Sequence, residues 1–188
     1  MFREMRRKSQ ALSFDECAEI LNRGTSGVLA LSGDNQYPYA VPLSYVYDNT
    51  KIYFHCAQEG HKIDSILRNA KASFCVIDQD QIIPEKYTTY FRSVIAFGTI
   101  RILHDSEQKR TAIEKLTQKY VPNGGISNLK QAIDQEWEGL CMLEMAIKHL
   151  TGKEAIELAK RKQSRAFNPT VTAHDFWEAF MTQNYFRD

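Results

Sequence analysis

The stretch Ile52-Tyr53-Phe54-His55-Cys56-Ala57-Gln58-Glu59-Gly60-His61-Lys62 carries the densest chemistry in the chain. It reads as a strand, a short loop containing a glycine, and the first residues of a helix. Unpaired amides and the dipole at a helix start attract an anion, and the Lys62 ammonium adds a full charge. Gly60 lets a bulky group approach the backbone closely. The ligand that suits such a place is a phosphate monoester; the alternative is a plain turn with Lys62 as a solvated charge. His61 is the sharpest candidate for proton transfer, because a free imidazole titrates near pH ~6.5. Its simpler role is donating a hydrogen bond to the phosphate.

Other chemistry finds less support. His55, Cys56, His61 and Cys75 could be drawn together as a zinc set, but His55 and Cys56 are strand neighbours and point to opposite faces. No metal site is expected. There is no Gly-x-Ser-x-Gly elbow, and Cys141 lies in the apolar run Leu140 to Leu143, so nucleophilic catalysis is not expected either. Arg92 stands between Phe91 and Ser93 in a strand. If Phe91 points to the core, Arg92 points to solvent or across an interface.

These groups need elements to position them. Ser13-Phe14-Asp15-Glu16 fits a capping box, and Cys17, Ile20 and Leu21 follow at helical spacing up to Gly24. Val28 to Leu31, Tyr39 to Tyr47 and Ile52 to Cys56 read as strands joined by Gly33-Asp34-Asn35 and Asp48-Asn49 turns. A short helix opens at Gly60, with Ile63, Ile66 and Leu67 as its apolar face and Asn69 as its stop. Strand Ala72 to Ile77 follows, then a polar connection from Gln79 to Lys86 broken by Pro84. A long strand runs from about Thr88 to Leu103, with Gly98 a bulge or close-approach point. A helix over about Ser106 to Lys119 shows Ile113, Leu116 and Tyr120 on one face and ends at Pro122 to Gly125. Ile126 to Trp137 reads as a further helix, and Leu140 to Ile147 as the last strand. Lys160 to Arg165 is a charged linker or helix end. After Pro169 an aromatic amphipathic helix is expected, carrying Phe176, Trp177, Phe180 and Met181. Six strands with short links and a few helices predict a small antiparallel β-barrel, since most links are too short for a parallel crossover.

Composition narrows the partners. The 188 residues hold 24 Lys+Arg against 23 Asp+Glu, a formal net charge of +1. That balance supplies no bulk field for nucleic acid or an anionic membrane. No apolar run approaches the roughly 20 residues of a membrane span. Met1 to Lys8 lead into no apolar stretch, so no secretory signal is expected. The four cysteines (Cys17, Cys56, Cys75 and Cys141) lack CxxC pairing and read as free thiols in a reducing compartment, which predicts a cytoplasmic protein.

Several motifs in order carry a resemblance: Gly24-Thr25-Ser26-Gly27-Val28-Leu29-Ala30, Pro38 to Tyr45, Ile52 to Lys62, Tyr87 to Val94, and Thr151-Gly152-Lys153-Glu154-Ala155. Together they resemble the pyridoxamine 5′-phosphate oxidase-like FMN-binding split-barrel superfamily, and within it the 5-nitroimidazole-resistance flavoproteins. The resemblance covers about residues 1–160, leaving 161–188 as a linker and aromatic helix that docks on the barrel or a partner. It implies a mainly β fold, a six-stranded antiparallel split β-barrel with peripheral helices. It also implies a homodimer with an FMN at each interface site and a small-molecule electron acceptor. Val41, Pro42, Leu43 and Ser44 would lie along the isoalloxazine, and Phe54, His55 and Cys56 would approach the ribityl and phosphate. His61 and Lys62 would meet the phosphate or the open face of the ring, with Arg92 and Ser93 nearby or supplied by the second subunit. A histidine of this motif is the catalytic candidate of the group, here His61. The implied function is an FMN-dependent oxidoreductase of nitroaromatic compounds. A non-catalytic flavin- or haem-binding protein and a pyridoxamine 5′-phosphate oxidase are the alternatives. With no Gly-x-Gly-x-x-Gly present, a nicotinamide cofactor would be a transient visitor.

Overall fold

The structure, a computed structural model, describes residues 2–122 and 126–167. The expected tail helix around Trp177, and Asn123 to Gly125 of the expected helix stop, lie outside the described residues. The chain forms α1 (Phe14–Arg23), β1 (Ser26–Ser32), β2 (Pro38–Ser44), β3 (Val46–Asp48), β4 (Lys51–Cys56) and α2 (His61–Arg68). It continues through β5 (Lys71–Ile83), β6 (Thr88–Ile102), α3 (Ser106–Tyr120), α4 (Ile126–Glu136), β7 (Cys141–Glu154) and α5 (Ile156–Phe167). Helix α5 thus runs across residue 160.

Helix α1 begins as the sequence predicts. The Ser13 hydroxyl accepts from the Glu16 amide at 3.2 Å, and the Glu16 carboxylate accepts from the Ser13 amide at 2.8 Å. Two first-turn donors are thereby satisfied reciprocally. Cys17, Ile20 and Leu21 are buried against the sheet.

All strands belong to one antiparallel sheet of seven, in the order β2-β1-β5-β6-β7-β4-β3. The count differs from six because Tyr39 to Tyr47, read as one strand, is split at Tyr45. The Tyr45 amide donates to the Tyr120 hydroxyl on α3 at 3.0 Å, and the Tyr45 hydroxyl donates to the Leu21 carbonyl at 2.8 Å. With its backbone donor committed to a side chain, Tyr45 cannot continue a ladder. Before it, β2 pairs with β1; after it, β3 pairs with β4. The two end strands of the sheet are therefore joined by a single residue, which forces the sheet to curl around its core. Among the described residues no ladder joins β2 to β3, so the cylinder is not closed by hydrogen bonds. Lys119 supports this junction, donating to the Gly24 carbonyl at 2.6 Å with its ammonium 4.0 Å above the Tyr45 ring. Burial lowers its pKa to about 8.

Inside the curl, Phe74 meets Tyr45 and Phe54 edge-on at centroid separations of 4.8 and 5.0 Å. Two strands outrun their apolar patterns. Strand β5 passes a bulge between Ile77 and Gln79 and continues to Ile83, where Gln79 to Ile83 pair with Arg92 to Thr88. Strand β7 continues to Glu154. Backbone pairing needs no apolar side chain, so periodicity cannot see these extensions. Leu67 also departs from expectation. It is 71% exposed while Ile63 and Ile66 are buried, because a two-turn helix meets the sheet along one line only.

Gly98 is both a bulge and a close approach. Register shifts between Phe97 and Gly98 against β7, and a Cβ built on Gly98 would lie 2.1 Å from the Ala146 carbonyl oxygen. Gly98→Ala must push two hydrogen-bonded strands apart. An overpacking cost near 2–3 kcal/mol is expected, read as a lower urea midpoint; an unchanged midpoint would contradict this close approach.

Candidate functional site

The start of α2 is built to leave donors open. Gly60, the residue before the helix, has φ of +116°, a conformation that L side chains rarely adopt, and nothing lies within 4 Å of where its Cβ would be. No side chain caps this end, and the first intrahelical bond is Asp64 amide to Gly60 carbonyl at 3.1 Å. The amides of His61, Lys62 and Ile63 are thus left without intrahelical partners. Lys62 is half-buried and, among the described residues, forms no ion pair.

His61 is held on two sides. Its ring stacks on Tyr39 of β2 at 4.0 Å and 23°, and its Nε2 lies 3.5 Å from the Asp34 carboxylate. The side chain is 42% exposed. Asp34 in turn pairs with Arg68 at 2.7 Å, and the Asn69 amide group donates to Ser32 at 3.0 Å. Both ends of α2 are therefore tied to the turn between β1 and β2, so the helix start sits beside β2.

The remaining predicted residues divide into two groups. On β2, Val41 and Leu43 pack towards the core, while Pro42 and Ser44 are exposed on the other face. At the end of β4, Phe54 is fully buried and can offer a ligand only its backbone. His55 is exposed and Cys56 half-buried. Burial first, then the cross-strand neighbour Cys141, pushes the Cys56 thiol up to about 12 against the charge of Lys62. So β2, the end of β4 and the start of α2 form one neighbourhood.

Arg92 and Ser93 lie elsewhere in this chain. Cys56 pairs with Cys141 at one end of β7, and Arg92 pairs with Glu154 at the other. At roughly 3.3 Å per residue those rows are about 40 Å apart along the strand. The buried residues of β6 are Tyr90, Val94, Ala96, Gly98 and Ile100, so Arg92 shares their face and Phe91 does not. Arg92 therefore does not turn to solvent. It binds Glu154 at 3.1 Å and Asp78 at 3.5 Å. Ser93 faces the opposite way, with Ile95 and Phe97.

Sequence reasoning did not anticipate Tyr39, Asp34 or Glu154. Tyr39 has a readable signal, standing two residues before Val41 on the same face of β2. Asp34 sits in a turn whose composition explains it without any role, and Glu154 sits in a polar strand end. Among the described residues no three His, Cys, Asp or Glu side chains gather to hold a metal ion. No helix among them is long and apolar enough to cross a membrane.

Known proteins share this fold. A structure from Bacteroides thetaiotaomicron named for 5-nitroimidazole antibiotic resistance superposes with TM-score 0.65 at 20% identity, covering 77% of this chain and 86% of its own. An FAD-binding protein from Mesorhizobium loti gives TM-score 0.57 at 24% identity, covering 78% of this chain and 97% of its own. An FAD- and haem-binding protein from Mycobacterium smegmatis gives 0.61 at 18%, covering 78% and 73%. At these identities the likeness shows the fold alone. No curated protein sequence matches the chain. The sequence profile described as pyridoxamine 5′-phosphate oxidase matches residues 13–154, which takes in every strand, α2 and the groups around it. The chain belongs to the pyridoxamine 5′-phosphate oxidase family.

Proposed function

We propose that the protein is a homodimeric FMN-binding oxidoreductase that reduces small nitro-type acceptors. The observation that carries this reading is the start of α2, where uncapped amides, an open approach over Gly60 and Lys62, which forms no ion pair among the described residues, offer a phosphate several donors at once. Family membership supports a flavin, and three of the structural neighbours are named for FAD binding. FMN is preferred because its phosphate is terminal and doubly charged, which matches a cationic helix start.

In this reading the α2 amides, Lys62 and His55 hold the phosphate, and Val41 to Ser44 present backbone and side chains to the ring. Ser93 would serve such a site from the second subunit, since in one chain it stands far from Lys62, whereas Arg92 is committed to Glu154 and Asp78 of its own chain. The exposed Pro42, Val28 and Ile77 give the sheet an apolar outer surface suited to pairing with a copy. The curl of the seven-stranded sheet, whose β2 and β3 are one run of chain broken at Tyr45, supports reading the fold as a split barrel. Four unpaired cysteines fit a cytoplasmic setting.

Bound FMN supplies the electron transfer; the chain supplies binding, orientation and protons. His61, fixed between Tyr39 and Asp34, is placed to hold a proton for the acceptor. His61→Ala is expected to retain FMN and to slow nitro-reduction about tenfold. That is less than the roughly 100-fold typical of a general acid, because water reaches a half-exposed ring and substitutes for it. The check is anaerobic reduction with NADPH followed by reoxidation with a nitroimidazole. Unchanged turnover in the flavin-loaded variant removes His61 from the mechanism, and a preparation that takes up no FMN in excess overturns the whole reading. The M. smegmatis neighbour favours one second reading, haem binding, which a Soret band would reveal.

A further inference from the structure

We infer that Cys56 and Cys141 are a redox modification site that closes to a reversible disulfide across the end of the β4–β7 ladder. The two residues are direct cross-strand partners in the register of β4 against β7. Opposed residues of an antiparallel pair hold their Cα atoms about 4.5–5.5 Å apart, inside the roughly 4.4–6.8 Å that a disulfide spans. Residues opposed in one antiparallel row point to the same face of the sheet, so the two thiols are side-by-side neighbours.

Position allows the small adjustment that bonding needs. Cys56 is the last residue of β4 and Cys141 the first of β7, so each is followed or preceded by chain outside the ladder. The Gln58 side chain donates to the Glu138 carbonyl, which holds those two flanking segments together across the same end. The other cysteines have no such partner. Cys75 stands opposite Val28 and Ile95, and Cys17 lies in α1 against Gly152. Among the described residues the register makes one pair and leaves two single thiols.

With a peroxide as oxidant the chemistry balances. The half-buried Cys56 thiolate attacks one peroxide oxygen, the O–O bond breaks, and a sulfenic acid and water or an alcohol result. The Cys141 thiol then attacks that sulfur, the S–O bond breaks, and water leaves. Two thiols lose two electrons and two protons, and the peroxide takes up both. A dithiol reductant reverses the bond by exchange. Burial keeps Cys56 largely protonated, so the pair stays reduced until an oxidant persists.

The test uses the full chain, with excess hydrogen peroxide followed by denaturation and alkylation. Two of the four cysteines should resist alkylation, the intact mass should fall by two hydrogen atoms, and mapping should recover a Cys56–Cys141 linked peptide. Dithiothreitol should restore all four thiols. In Cys141→Ser the linked peptide should vanish and Cys56 should stop at a sulfenic acid that dimedone traps. Four alkylated cysteines after oxidation, a link through Cys17 or Cys75, or sulfinic acid at Cys56 without a link in the unaltered chain would each overturn the inference. Each of these readings is a covalent change in the chain's own thiols, and none of them measures flavin content.

Discussion

Lys62→Glu is expected to strip FMN from the purified protein and to weaken reconstitution by about 100-fold or more. A hydrogen bond to a charged group contributes about 1.5–3 kcal/mol, which at ~1.4 kcal/mol per decade is roughly 10- to 150-fold for Lys62→Ala. Charge reversal adds repulsion of a dianion to that loss, while Lys62→Arg keeps the charge and should lose much less. Lys62 forms no ion pair among the described residues, so its replacement leaves no partner stranded and should barely move the urea midpoint. Riboflavin separates the phosphate from the ring. It lacks the phosphate, so its affinity should be the same for the unaltered chain and Lys62→Glu, while that for FMN diverges. Titration of each ligand by quenching of flavin fluorescence reads both. Equal FMN affinities in the two proteins would place the phosphate elsewhere.

How much of this site the sequence discloses depends on the separation of the groups involved. The start of α2 is legible because Gly60, His61 and Lys62 are consecutive, and their local chemistry already implies uncapped amides beside a cation. Helix α1 is legible for the same reason, through Ser13 and Glu16 one turn apart. The clamp on His61 is not legible. Tyr39 and Asp34 reach it only because β1 and β2 fold back beside α2, and no spacing in the sequence announces that contact. Arg92 is the clearer case. Alternation correctly says that Arg92 and Phe91 face opposite ways, but it cannot say which of them faces in. The buried neighbours Val94 and Ala96 decide that, and they put Arg92 inside with Asp78 and Glu154.

The break at Tyr45 shows a second kind of blindness. Tyr39 to Tyr47 is rich in aromatic and β-branched residues throughout, so propensity sees one strand. What divides it is a hydrogen bond from the Tyr45 amide to Tyr120, distant in sequence on α3. That single bond moves the chain from one end of the sheet to the other. Turn chemistry marks where a chain reverses, but here the chain runs on and only its partner changes.

Glu154→Gln is expected to destabilise the fold by about 3–5 kcal/mol, the cost of removing one partner from a buried ion pair. Against a typical total of about 5–15 kcal/mol that is a large share. Glu154 is only 2% exposed, with one carboxylate oxygen 3.1 Å from Arg92 and the other 2.7 Å from Lys162. Lys162 also pairs with Glu16, and Arg92 reaches Asp78, which Arg23 holds at 2.7 Å. This alternating chain links both ends of α1 to β5, β6, β7 and α5, and a neutral amide at its centre leaves two cations facing each other. Lys162 has more water within reach, so most of the loss falls on the half-buried Arg92 side. Acid should weaken the rest of the network. Burial alone would raise the carboxyls of Asp78 and Glu16, but bonds from Arg23 and Arg92 in one case and from Lys162 and Ser13 in the other hold both below their ordinary values. Groups lowered on folding add stability above their unfolded pKa values and lose it as pH falls through the folded ones, here below about pH 4. Urea midpoints of the two proteins should therefore differ widely at pH 7, and the midpoint of the unaltered chain should fall as the pH drops below about 4; equal midpoints at neutral pH, or an unaltered chain whose midpoint does not move in acid, would show that the network does not hold these five elements together.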